Sequence, residues 1–319
     1  MQMKYVKLSM MGTGLILSNL TISSAVMAQV PPEVVDSYPK QRLKERSKRR
    51  AAERESAEQA AASVVNPMGP IRPGSSPMGI EMVIINPGLG KLGSPDHEKK
   101  RQRFENFMRE TAINYQFEVS KYEITFEDWN KCVSDGGCSG YTPDDKGWGR
   151  GKRPVINISY KDTQNFISWL NRKTSKTYRL LSEAEWEYVA RAGQDAPFGT
   201  GYEMTAELAN FDGKAPYGSS AIGPYRRKTE PVGQYSPNAF GVYDMHGNVY
   251  EWVEDCWNAD HSGSRGDGSP RTDGDCKYRV MKGGSWVTHG YQMRAAARVR
   301  YVTDYRYDDY GLRLARTLN

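Results

Sequence analysis

At 319 residues, with 26% charged and 38% hydrophobic positions and a mean hydropathy of −0.72, the chain can hold one large domain or two small ones with a soluble surface. Its formal net charge of +6 is local: residues 40–54 carry eight Lys or Arg against two Glu, which accounts for all of it. The remainder is neutral, which excludes the electrostatic footprint of a nucleic-acid-binding domain, so no nucleic-acid partner is expected.

Lys4 and Lys7, the apolar stretch that follows, and the small residues Val26 and Ala28 before Gln29 read as a secretory signal over residues 1–28. Asn19, Thr21, Ser23 and Ser24 break the stretch before it reaches the roughly 20 apolar residues of a membrane anchor. The expected protein is periplasmic or secreted, with no transmembrane segment after signal removal. Residues 29–78 read as a solvated basic arm and a Pro/Gly/Ser-rich linker: the helix-compatible part, 40–62, has no apolar stripe, and 63–78 is broken by Pro and Gly.

A globular pattern begins at "GIEMVIINPG", with "MVII" as a buried strand, and one domain is expected over 79–319. Three segments open like helices: Thr125 with Asp128, Ser159 with Asp162, and Ser182 with Glu185, the last stopping at Gly193. Phe166, Trp169 and Leu170, and likewise Trp186, Val189 and Ala190, fall at helical spacing and read as core. Beyond 193 the chain becomes rich in Gly, Asp and Tyr, with short strands. The fold class is α+β, loop-rich and single-domain. Four cysteines, Cys132, Cys138, Cys256 and Cys276, suit an oxidising compartment. Proximity favours Cys132–Cys138 and Cys256–Cys276 among the three possible connectivities. A zinc site is the alternative, but no C-x-x-C or His pair supports it.

Three blocks in order carry a family resemblance: "RPVINISYKDTQNFISWLNRKTSKTYRLLSEAEWEYVARAG" (153–193), "NAFGVYDMHGNVYEWVED" (238–255) and "VMKGGSWVTHGYQMRAAARVRYVTDYRYDDYGLRLAR" (280–316). With "GIEMVIINPGLGKLGSP" and "FEVSKYEITFEDW", the chain resembles the formylglycine-generating enzymes, or sulfatase-modifying factors, over about residues 79–318. The resemblance implies a loop-rich relative of the C-type lectin fold. Family oxidases hold copper on two cysteines shortly after "GGS", chemistry that needs soft thiolates. Here the first of those positions falls on Thr288, no cysteine occurs over 277–319, and the loop to "AAAR" is shorter. Copper and formylglycine production are therefore not expected.

The resemblance further implies a structural calcium loop in "YDMHGNVYEW", with Asp244 and Glu251 as side-chain ligands and Gly247 and Val249 as carbonyl donors. A second family calcium site would keep only Asn210 and Phe211, its acid falling near Pro224. The histidines His97, His246, His261 and His289 show no metal-ligand spacing. The Tyr- and Arg-rich C-terminal stretch suggests a binding face of Ser285, Trp286, His289, Tyr291, Arg294, Arg298, Tyr305 and Tyr307. The expectation is a ligand- or partner-binding or accessory module for an envelope or extracellular protein or a small molecule. The alternative is an oxidative enzyme of the same family, of the formylglycine-generating or siderophore-chromophore-maturation type, with cysteine-independent chemistry and Glu251 or Glu254 as acid–base groups.

Overall fold

The three expected caps each build a helix. In the computed structural model, which describes residues 74–75 and 78–318, the helices are α1 (Phe126–Ser134), α2 (Tyr160–Thr174) and α3 (Glu183–Arg191). The hydroxyls of Thr125, Ser159 and Ser182 accept from the backbone N–H three residues on, and the carboxylates of Asp128, Asp162 and Glu185 accept from the cap N–H groups. Each cap contributes about 0.5–2 kcal/mol to its helix. α3 stops where Ala192 and Gly193 both turn left-handed. It is buried on all sides, so its polar residues Glu183, Glu185, Glu187 and Arg191 must find partners inside the protein.

The strands are β1 (Gly74–Ser75), β2 (Glu81–Ile85), β3 (Gly88–Leu92), β4 (Arg109–Ile113), β5 (Phe117–Ser120), β6 (Tyr178–Leu180), β7 (Tyr250–Trp257), β8 (Asp275–Lys282), β9 (Val299–Val302), β10 (Tyr310–Leu312) and β11 (Leu314–Thr317). One sheet runs β1-β2-β5-β11-β6, a second β10-β7-β8-β9, and β3 pairs with β4. β11 lies between β5 and β6, with Ala315 opposite both Val119 and Arg179. β10 pairs in parallel with β7, setting Gly311 opposite Glu251. That register lays the C-terminal "YGLRLAR" stretch along the end of the 244–251 loop. β1 pairs with β2, so the sheet begins inside the stretch read as linker, ahead of residue 79. The signal and basic arm expected over 1–62 lie outside the described residues.

One core cluster gathers Trp129, Phe166, Leu170, Trp252 and Leu314, a second Phe117, Trp186, Val189, Val253 and Ala315, and a third Phe198, Met204, Phe211 and Met293. Both proximity pairings form: Cys132–Cys138 ties α1 to the following turn, and Cys256–Cys276 ties β7 to β8. Among the described residues no helix is long and apolar enough to cross a membrane.

Candidate functional site

β8 ends in a turn whose backbone favours glycine at two successive positions. Gly283 and Gly284 are left-handed, and a Cβ at Gly284 would lie 2.7 Å from Met293 Cγ and 2.9 Å from the Thr288 hydroxyl. Thr288 Oγ1 accepts from Ser285 N (2.9 Å) and donates to Ser285 O (3.0 Å), so its hydroxyl is used inside the turn. Ser285 Oγ donates to Asp309 Oδ2 (2.9 Å), and Trp286 Nε1 donates to Asp308 O (3.0 Å). Burial lifts the Asp309 carboxyl to about 6 against the hydrogen bond from Ser285. The phenols of Tyr250, Tyr301 and Tyr310 are raised by burial in the same neighbourhood.

The second element is the 244–251 loop, anchored to that turn by Gly247 N on Gly283 O and by Trp286 N on Asn248 O. Asp244, Gly247 and Asn248 are all left-handed, and a Cβ at Gly247 would sit 2.4 Å from Asn210 O. Here Asp244, Glu251 and Glu123 are buried around the one guanidinium of Arg313. Arg313 Nε donates to both Glu251 oxygens (2.9 and 3.1 Å), and Trp186 Nε1 donates to Glu251 Oε2 (2.6 Å). Glu123 accepts from Asn248 Nδ2 and Val249 N, and Asp244 from Gly233 N. Burial, with the charges of Asp244 and Glu251, pushes Glu123 well above the carboxylate range, and burial lifts Asp244 to about 6.

This donor set fits a hard cation in three respects. It carries more buried negative charge than Arg313 can balance. The carbonyls of Gly247 and Val249 accept no hydrogen bond among the described residues. The buried Asn210 Oδ1 nearby has no hydrogen-bond partner either. Against it, Glu251 is already engaged by Arg313 and Trp186, and among the described residues no three His, Cys, Asp or Glu side chains converge at metal-ligand geometry. A calcium ion here would rest on carbonyls plus Asp244, with Glu251 and Glu123 sharing their remaining lone pairs.

The family model described as the sulfatase-modifying factor enzyme 1-like domain matches residues 71–318. The chain belongs to the FGE-sulfatase family. The formylglycine-generating enzyme of Mus musculus is 32% identical over 181 residues, covering 54% of this chain and 46% of the mouse protein. The serine/threonine-protein kinase pkn1 of Chlamydia pneumoniae is 31% identical over 174 residues, covering 54% of this chain and 25% of that protein. The structure of PvdO from Pseudomonas aeruginosa aligns with a TM-score of 0.68 at 34% identity, covering 77% of this chain and 99% of PvdO. This chain thus matches less than half of the mouse enzyme but nearly all of PvdO. The loop-rich α+β fold of the family is the one observed.

The expected binding face is only partly a face. Arg294 is fully buried, with Nη1 on Glu98 (2.6 Å) and Glu105 (2.7 Å) and Nη2 on Glu105 (2.6 Å). Arg298 is buried against Glu183 at 2.7 Å. Both are internal struts, because guanidinium groups at these positions meet carboxylates from distant parts of the chain. Ser285 is buried, and Trp286 is 9% exposed, stacked on Tyr225 and met edge-on by Trp148. Tyr291 is half-buried, and its carbonyl is held by Arg294 Nε. His289, Tyr305 and Tyr307 remain exposed, with Val287, which the sequence reading missed. It also missed Glu123 and Arg313. Neither acid–base candidate is exposed: Glu251 is buried, and Glu254 is half-buried and bonded by Tyr160. Of the histidines, His246 is buried and hydrogen-bonded to Met293 O and Gly199 N. Burial depresses it to about 4.

Proposed function

We propose that the chain is an exported, calcium-stabilised binding or accessory module of the FGE-sulfatase family, and that it does not generate formylglycine. The observation that carries this reading is Thr288. At the position where the family oxidases hold copper on a thiolate, its hydroxyl is closed into the turn, and all four cysteines are in disulfides. A hydroxyl and carboxylates are poor ligands for Cu(I). Recognition then falls to the rim of the same turn, where Val287 and His289 are exposed beside Trp286, itself packed by Tyr225 and Trp148, and where Tyr305 and Tyr307 are exposed over Tyr301 and Tyr310. Exposed aromatic groups on a fixed base lose little entropy on binding. That a protein named as a kinase carries a matching region over a quarter of its length supports reading this domain as a module. The ligand is an envelope or extracellular protein or a small molecule.

A second reading is favoured by the Ser285–Asp309 pair. A hydroxyl hydrogen-bonded to a carboxyl lifted to about 6, near the phenols of Tyr250 and Tyr310, supplies the acid–base pair that a cysteine-independent enzyme of the siderophore-chromophore-maturation type needs. The likeness to PvdO over almost its full length is compatible with it.

Incubation with copper, oxygen and a sulfatase-type cysteine peptide is expected to yield no aldehyde by mass spectrometry, and turnover would overturn the first reading. A Tyr305→Ala, Tyr307→Ala variant is expected to lose at least one partner that the wild type recovers from envelope extract. Equal recovery would mean the rim is silent. N-terminal sequencing of the exported protein should begin at Gln29.

A further inference from the structure

A cleft of about 620 Å³ lies between the 95–108 loop and the 195–219 stretch. It is joined to the GGS turn on its inner side: Tyr217 packs against Gly290, and Glu98 accepts from Arg294. Its volume is in the range of small-molecule sites, roughly 300–1,000 Å³. Met108, Tyr202 and Tyr217 give it an apolar lining, and Met108 and Tyr202 are left 42% and 70% exposed. The loop forming one wall is held in a costly shape, with Lys100 and Phe107 at left-handed φ of 60° and 59°. Bulky residues persist there only when the surrounding structure enforces it, and such positions concentrate at ligand clamps.

The charges lining the cleft decide what it takes. Lys91 pairs with Asp195 at 2.6 Å, Arg191 with Glu187 at 2.7 Å, and Glu98 with Arg294 at 2.6 Å. Among the described residues Glu203 has no cationic partner, but it accepts a hydrogen bond from Ser219 Oγ. Lys99 and His97 are exposed, and among the described residues their side chains have no partner. Two uncommitted basic groups therefore stand beside an apolar lining, against one hydrogen-bonded carboxylate. We propose that this cleft binds a small molecule with an aromatic body and an anionic group, the ring among Met108, Tyr202 and Tyr217 and the anion toward Lys99 and His97. The site is separate from the tyrosine rim and does not rest on its role.

The test uses two probes with the same rings, 8-anilinonaphthalene-1-sulfonate and the neutral N-phenyl-1-naphthylamine, titrated by fluorescence into the folded protein. Both should bind saturably at one site. Lys99→Glu should weaken the sulfonate roughly two- to fivefold, the range of an exposed ion pair, and leave the neutral probe unchanged. Glu203→Gln should tighten the sulfonate alone. Met108→Asp with Tyr202→Asp, both at exposed positions, should abolish binding of both probes while the circular dichroism spectrum is retained. Absence of saturable binding overturns the proposal, as does an equal response of both probes to Lys99→Glu or Glu203→Gln. Unchanged binding in the Met108/Tyr202 variant overturns it too. The Tyr305→Ala, Tyr307→Ala variant should keep both affinities, which separates failure of this site from failure of the rim.

Discussion

Arg294→Ala tests whether the arginines near the GGS turn brace the fold or recognise a ligand. The guanidinium makes three bonds to Glu98 and Glu105 and further bonds to Tyr291 O (2.8 Å) and Lys100 O (3.0 Å), with no exposed surface. Truncation strands two buried carboxylates, and breaking a buried pair from one side costs about 3–5 kcal/mol. Each carbonyl left unsatisfied adds about 1–3 kcal/mol unless water enters. Against a total stability of about 5–15 kcal/mol, the loss is large in a urea titration followed by tryptophan fluorescence. The pH dependence gives a second check. Burial alone would raise Glu105, but its hydrogen bonds and ion pair with Arg294 hold it below its usual value. Its contribution in the wild type is therefore present above the unfolded value of about 4.3 and lost as pH falls through the lower folded value. In the variant the stranded acid is easier to protonate, so the gap between the two proteins should narrow below about pH 5. A stability loss below about 1 kcal/mol at pH 7, or a gap that does not change with pH, would refute the strut assignment.

Removing calcium with a chelator should lower the melting temperature, and Asp244→Ala should abolish that response. At an ion concentration 100 times Kd the linkage is about 2.7 kcal/mol, and identical melting curves with and without calcium would count against the site. Asp255, lifted to about 7 by burial and the charge of Glu183, destabilises the fold as pH rises from about 4 toward 7. Asp244 and Asp309, both raised to about 6, contribute slopes of the same sign, and the depressed His246 and His261 the opposite one, so Asp255→Asn should shift the slope of the urea midpoint against pH toward more positive values than the wild type's over that window. Replacing Cys256 and Cys276 together by Ser should cost about 3 kcal/mol, more than opening the shorter Cys132–Cys138 loop, as judged by denaturation midpoints under non-reducing conditions.

What the sequence determined by itself was local or ordered along the chain. Thr125 with Asp128, Ser159 with Asp162 and Ser182 with Glu185 close reciprocal hydrogen bonds within one helical turn, so residue type and spacing suffice to place three helix starts. The disulfides were legible because separations of 6 and 20 residues make the near pairings the simplest ones. The order of the motif blocks was enough to indicate the family. Tertiary structure alone decided which charged groups are site and which are scaffold. Arg294 meets Glu98 and Glu105 across 196 and 189 residues, Arg298 meets Glu183 across 115, and Glu123 reaches Asn248 across 125. An arginine beside tyrosines looks the same in sequence whether it faces solvent or a carboxylate brought by a distant loop. The difference lies in desolvation: a buried guanidinium is stable only where the fold delivers its counter-charges, as the connection between β3 and β4 does for Arg294 and the start of α3 does for Arg298.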